Sequence, residues 1–149
     1  MTFSILPFRA EHAKAVSDPA SEPGMLGVLS ATPGYFAALE ACGTAFSAFA
    51  DGAFLGCAGF VKQHWGTAAE VWAWVLPEGK KHPVVVHKML HRYLKQMDAE
   101  GVLRVSCVVR KGNRRAYRWM KLLGFKRNAP LKKYGPGGTD FFLYDRVRG

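Results

Sequence analysis

Residues 113–125, NRRAYRWMKLLGF, follow an apolar, β-branched run at residues 102–109, VLRVSCVV, and this junction decides how the chain folds. The run predicts a strand. Asn113 is suited to cap a helix by accepting a backbone N–H of its first turn. Ala116, Trp119, Met120 and Leu123 recur at helical spacing, with Arg114, Arg115, Arg118 and Lys121 on the remaining surface. Gly124 then supplies the left-handed residue that ends a helix, and Phe125 turns back toward a core. The result is a strand–cap–short helix–stop unit of an α/β type.

Working outward, residues 83–99 predict an amphipathic helix on Val86, Leu90, Tyr93, Leu94 and Met97, stopped by Gly101. Before it, residues 44–50 and 53–62 flank Asp51-Gly52, a two-residue hairpin signal. A third strand at 68–77 follows the turn HWGT. Nearer the N-terminus, residues 3–9 predict an edge strand with Pro7 at its end, and residues 10–17 a short helix. Residues 18–34 predict a long loop with one helical turn near Met25–Leu29, and a helix starts at Pro33 and stops at Gly43. Beyond the opening stretch, residues 126–139 are predicted to be loop-rich and 140–146 to close a sheet. Three successive antiparallel strands followed by helix, strand, helix and strand make an α+β fold. With no internal repeat, residues 1–149 are expected to form a single domain.

Composition narrows the function classes. No run reaches the roughly 18–20 apolar residues a membrane-crossing helix needs, and the N-terminus lacks a signal-peptide pattern. The expected compartment is the cytoplasm, without membrane association. Cys42, Cys57 and Cys107 lie apart in apolar sequence and are expected to be three buried thiols; no Cys/His spacing suggests a metal site. The net charge of +10 is unevenly placed. Residues 1–79 hold 3 Lys/Arg against 7 Asp/Glu, giving −4, and residues 80–149 hold 18 against 4, giving +14. That asymmetry points the C-terminal half toward an anion: nucleic acid, an acidic protein or a phosphorylated cofactor.

The Asn cap, short helix and Gly-Phe stop of residues 113–125 resemble the last shared segment of the GNAT (N-acetyltransferase) superfamily. The resemblance extends in element order over about residues 44–146. It implies a mixed, mostly antiparallel central sheet flanked by helices, and acyl transfer from acetyl-CoA to an amine acceptor. The stretch VLPEGKKHPVVVHK (residues 75–88) stands where the family has its pyrophosphate loop. Lys80 falls at the basic position, Pro83 and Val85 at two positions usually small. Pro83 removes a backbone donor and Val85 adds a branched side chain, while Lys80, Lys81 and His82 offer charge. The resemblance implies that residues 80–85, Val84 and Val85 included, hold the pyrophosphate, that backbone N–H groups at Val75 and Leu76 polarise the thioester carbonyl, and that Asn113 lies beside the CoA arm.

Glu70, in AEVWAWVL (residues 69–76), resembles the strand glutamate that some members use as a base to deprotonate the amine; the bland alternative is a solvent-facing strand glutamate. His64 is a second choice. The tyrosine that protonates the leaving thiolate is replaced here by Met120, which cannot donate a proton, so Tyr117, Tyr134 or water would have to serve. Another base position of the family is Val108 here. Trp65, Trp72 and Trp74 suit either an acceptor cleft or the cover of a sheet. The alternation RRAYRW suits either nucleic-acid stacking or a solvated basic face. The Trp-rich strand, altered loop and terminal GPGGTDFFLYDR also resemble GNAT-like proteins of tailed phages and prophages, some of them linked to virion assembly. Three readings therefore stay open: an acetyl-CoA-dependent N-acetyltransferase, a non-catalytic virion-assembly protein, present in the host cytoplasm or the virion, or a sequence-independent nucleic-acid binder, which would show steep salt dependence.

Overall fold

The computed structural model describes residues 2–12, 34–42, 44–76 and 78–148. Their elements are β1 (Phe3–Pro7), α1 (Tyr35–Ala41), β2 (Ala45–Ala50), β3 (Ala53–Lys62), β4 (Ala68–Val75), α2 (Pro83–Ala99), β5 (Arg104–Arg110), α3 (Arg114–Leu122), β6 (Lys126–Leu131) and β7 (Phe141–Val147). The strands hydrogen-bond in the order β1-β2-β3-β4-β5-β7-β6. β4 and β5 are parallel, whereas β1–β2, β2–β3, β5–β7 and β6–β7 are antiparallel. This is the expected α+β fold with a mostly antiparallel sheet. The chain forms two compact units, Met1–Phe60 with Ala73–Val86 and Val61–Trp72 with His87–Gly149.

In the first unit, Asp51 (φ 47°) and Gly52 (φ 83°) are both left-handed, as a tight two-residue hairpin between β2 and β3 requires. β1 pairs with β2 from Phe3 opposite Ala50 to Pro7 opposite Phe46. Proline has no N–H for a ladder, so the strand stops there. Small residues fill the interior: Ala45, Ala48, Ala50, Cys57 and Ala58 are buried, with Leu55 and Phe60 supplying bulk. The expected helix at Pro33 begins instead at Tyr35, after a left-handed Gly34 (φ 75°). Of the helix expected at 10–17, residues 10–12 are described and form a 3-10 turn. Residues 13–33, including the loop and turn expected there, lie outside the described residues, as does Gly43.

In the second unit, β5 is the central strand, paired with β7 over its whole length from Arg104–Val147 to Arg110–Phe141. Met97, Val102 and Val105 are almost fully enclosed, each such side chain contributing about 1.5–3 kcal/mol by burial. Arg146 of β7 grips Asp98 of α2 through two bonds of 2.8 and 2.9 Å, and Arg148 approaches the same carboxylate at 3.3 Å. Hydrogen bonding from Arg146 holds the Asp98 carboxyl below the usual carboxylate range. Trp119 Nε1 donates to His87 Nδ1 at 3.2 Å, tying α3 to α2.

Two expectations need correction. Residues 126–131 form a strand rather than loop, β6, paired with β7 at the sheet edge. Its KRNAPL sequence lacks an apolar alternation because an edge strand has little to bury, and Pro130 is tolerated there. Cys42 is exposed at the end of α1; only Cys57 is fully buried, and Cys107 is half-buried.

Candidate functional site

In the first unit, β4 ends at Val75 and the chain folds down onto β3. The Leu76 N–H donates to the Leu55 carbonyl at 3.0 Å, which engages this amide within the scaffold; Leu76 and Val75 are the two residues expected to polarise a thioester carbonyl. Two glycines permit the approach. A Cβ at Gly56 (φ 151°) would run into the Trp74 carbonyl, and one at Gly79 would run into the Leu55 carbonyl and lie 2.9 Å from Val75 Cγ1.

The segment that follows is a 3-10 turn, Gly79–Lys81, leading into α2. Its amides can be followed one by one. Lys80 N–H donates to the Leu76 carbonyl (3.0 Å), Lys81 to Glu78 (3.3 Å) and His82 to Gly79 (3.0 Å). Pro83 has no N–H, and Val86 N–H already donates to the His82 carbonyl at 3.3 Å. Val84 and Val85 are therefore the residues whose amides stand at the start of the 17-residue helix α2, where helix geometry gives them no intrahelical acceptor. Aligned peptide dipoles make that end electropositive. Lys80 and Lys81 are exposed beside it, with Lys81 Nζ 3.0 Å from Glu78 Oε2. The half-buried His82 ring sits edge-on to Phe3 at 5.3 Å. Lys80, Lys81, His82, Val84 and Val85 are thus brought together at one helix start.

An aromatic wall stands in the same unit. Trp74 packs edge-to-face on Phe36 (5.5 Å) and tilts against Tyr35 (5.9 Å). Buried Leu76 packs with Phe36, Phe54 and Trp74. Burial, with Cys57 nearby, pushes the Tyr35 hydroxyl above its ordinary range, so it stays protonated and can donate.

In the second unit, Asn113 Oδ1 accepts from Ala116 N–H at 3.1 Å and caps α3. At the other end Gly124 (φ 90°) donates to Lys121 and Phe125 donates to Met120, the paired bonds of a glycine-terminated helix. Asn113 and Tyr117 line a shallow hollow of about 60 Å³ with Val109, Arg110, Gly112, Arg114 and Tyr144. Met120, which stands where the resemblance implies a tyrosine, is buried, and its sulfur lies 3.3 Å from Cys107 Sγ. Burial pushes the Cys107 thiol up to about 12. Val108 is half-buried on β5.

Glu70 is exposed on β4 and lies in register with Ser106 of β5, which pairs in turn with Asp145 of β7. Buried Asp145 accepts from Ser106 Oγ (2.7 Å), Arg104 (2.9 Å) and Asn128. Burial alone would raise the Asp145 carboxyl, but these donors outweigh it and hold the group low and ionised. The β4–β5 register covers Ala68–Glu70 against Arg104–Ser106. His64 and Trp65 are exposed in the turn before β4, and Tyr134 is exposed after β6.

Sequence reasoning missed the Gly79 contact, the Tyr35–Phe36 packing on Trp74, and the Arg104–Ser106–Asp145–Asn128 cluster. A lone Gly before two lysines was the signal for the first. The other two depend on which strands become neighbours. Among the described residues, no three His, Cys, Asp or Glu side chains gather as a metal site would require, and no helix is long and apolar enough to cross a membrane.

A family model described as the acetyltransferase (GNAT) family matches residues 17–125. No curated protein matches the sequence. Among solved structures, the chain is similar to Ard1 from Thermoplasma volcanium, at 17% identity and TM-score 0.76 over 99% of this chain and 98% of that one. It is similar to an acetyltransferase of the GNAT family from Streptococcus pneumoniae, at 13% identity and TM-score 0.77 over 99% and 100%. It is similar also to the yncA protein from Salmonella typhimurium, solved with acetyl-CoA, at 15% identity and TM-score 0.70 over 99% and 94%.

Proposed function

The chain belongs to the acetyltransferase (GNAT) family, and from that premise we propose that it transfers the acetyl group of acetyl-CoA to an amine. The observation that carries the donor half of this reading is the start of α2. Two amides, Val84 and Val85, stand at an electropositive helix end beside exposed Lys80 and Lys81, the donor set a pyrophosphate requires. Pro83 leaves this cradle one backbone donor short of a glycine loop and Val85 adds a branched side chain to it, and the lysines make up the difference in charge. The acetyl thioester supplies an activated carbonyl.

On the acceptor side, Glu70 takes a proton from the ammonium, directly or through water, leaving a neutral amine to attack that carbonyl. The C–N bond forms, the C–S bond breaks, and the departing thiolate takes a proton from Tyr117 or from water. Met120, buried against Cys107, has no proton to give. Val75 is the remaining candidate of the two backbone donors expected at the carbonyl, since Leu76 is bonded to Leu55.

Calorimetric titration with acetyl-CoA tests the reading. Binding that weakens at least tenfold in the Lys80→Glu, Lys81→Glu double variant is expected, each charge-assisted phosphate contact being worth about 1.5–3 kcal/mol. No heat at millimolar acetyl-CoA would overturn it and leave the non-catalytic assembly protein as the reading to pursue. If binding holds, an amine panel follows, with Glu70→Gln expected to lower kcat by about 100-fold or more.

A further inference from the structure

From residue 101 to residue 139 the chain carries 11 Lys and Arg and no Asp or Glu, and every one of the eleven is exposed. Soluble surfaces ordinarily intersperse both signs. A one-signed stretch of this length sets up a field that attracts a polyanion.

Aromatic rings organise part of this charge. The Arg127 guanidinium of β6 lies 4.1 Å from the Phe142 ring centre and 4.9 Å from that of Tyr117. Its Nε donates to the Tyr144 hydroxyl at 3.3 Å, which holds the planar group in place while its terminal nitrogens keep the fork that matches a phosphate. Lys121 Nζ stands 5.2 Å from the same Tyr117 ring. Tyr117 also lines the hollow shared with Arg110 and Arg114. A second station lies past the other end of β6. There Lys132 and Lys133 precede Tyr134, which is 54% exposed and edge-on to Phe141 at 5.4 Å. Arg127 and Leu131, near the two ends of this edge strand, are about 13 Å apart at ~3.3 Å per residue.

We propose that this face, α3 with β6 and the turn after it, binds single-stranded nucleic acid. Arg110, Arg114, Lys121 and Arg127 contact phosphates, and Tyr134, exposed beside Lys132 and Lys133, offers a ring face to a base. An exposed ring set among cations, Tyr134 beside Lys132 and Lys133, decides among polyanions. Carboxylates of an acidic protein or the headgroups of a bilayer would answer the charge alone, whereas a polynucleotide answers charge and ring together. Single strands are favoured because their bases are free to leave the stack and reach a ring.

Fluorescence anisotropy with a labelled single-stranded RNA of about 20 nucleotides tests this, since single-strand sites span roughly 4–16 nucleotides per domain. With four phosphates neutralised, affinity should fall about 50-fold between roughly 50 and 200 mM salt. Arg114→Ser with Lys121→Ser should flatten that dependence by about 1.4 in log–log slope. Tyr134→Ala should weaken binding about tenfold. Tyr117→Phe, which keeps the ring and the packing, should bind like the parent. Binding insensitive to salt, equal affinity for poly-glutamate of the same charge, or no effect of the double charge variant with an unchanged circular dichroism spectrum would overturn the proposal. So would full displacement of the RNA by acetyl-CoA, which would assign the hollow to that donor. RNA binding alongside undisplaced acetyl-CoA supports both readings, and RNA binding with no acetyl-CoA binding supports this one alone.

Discussion

Gly79→Ala is the most informative single change in the donor region. Gly79 is buried under the turn that carries Lys80 and Lys81, and an added Cβ would collide with the Leu55 carbonyl and come within 2.9 Å of Val75 Cγ1. One obstacle is backbone held in β3, which cannot rotate aside, so the turn itself must move by roughly 1 Å to restore ordinary contact. Overpacking of this kind costs about 1–3 kcal/mol. Replacing Gly by Ala where φ is not left-handed returns about 0.4–1 kcal/mol by restricting the unfolded chain. With the middle of each range the net loss is about 1.3 kcal/mol, which for a chain of this size lowers Tm by about 3–5 °C. The same displacement carries the start of α2 away from its place, and a shift of about 1 Å at a binding site can cost on the order of 100-fold. Differential scanning calorimetry and acetyl-CoA titration read the two effects. Lys81→Ala, which removes only an exposed pair with Glu78, should leave Tm close to the parent value. A Gly79→Ala protein that melts within about 1 °C of the parent would show that the turn has room and that the collision argument is wrong.

Three further outcomes are expected. Asp98→Asn should destabilise the protein by about 2–3 kcal/mol, because the charge-assisted fork of Arg146 loses its carboxylate. The Asp98 carboxyl is held below its unfolded value of about 3.9, so this deficit is full above that pH and shrinks as pH falls through the depressed folded value; urea titrations across pH check it. Thiol titration of the native protein should read one fast equivalent, Cys42, with all three reacting in denaturant. Cys42 is exposed, whereas burial pushes Cys57 and Cys107 up to about 12; three fast equivalents would contradict the packing. Asn113→Ala should cost about 1 kcal/mol through loss of the Ala116 cap, while Asn113→Ser should retain most of the stability in the same denaturation assay.

Residues 113–125 determined their own local structure. The Asn cap, the buried face of Met120 and Leu123 and the left-handed Gly124 are all set by neighbours within one or two helical turns. The same holds for the Asp51-Gly52 hairpin and for α2, whose helical spacing carries over to buried Val86, Tyr93, Leu94 and Met97. Such features are legible because backbone sterics and side-chain periodicity act over a few residues. β6 was not legible, since an edge strand buries little and KRNAPL has no alternation to show. Nor was the commitment of the Leu76 amide to Leu55, or the collision that a Cβ at Gly79 would meet, because each depends on a strand about twenty residues away. Nothing in the local sequence sets Asp145 and Asp98 apart from the other acids. Only strand order gives one Ser106, Arg104 and Asn128, and the other Arg146. The sequence by itself determined the elements and the sign of the charge. Tertiary structure decided which backbone donors remain at the start of α2 and which cations meet aromatic rings, because hydrogen-bond acceptors and ring faces are supplied by chain segments that only folding brings alongside.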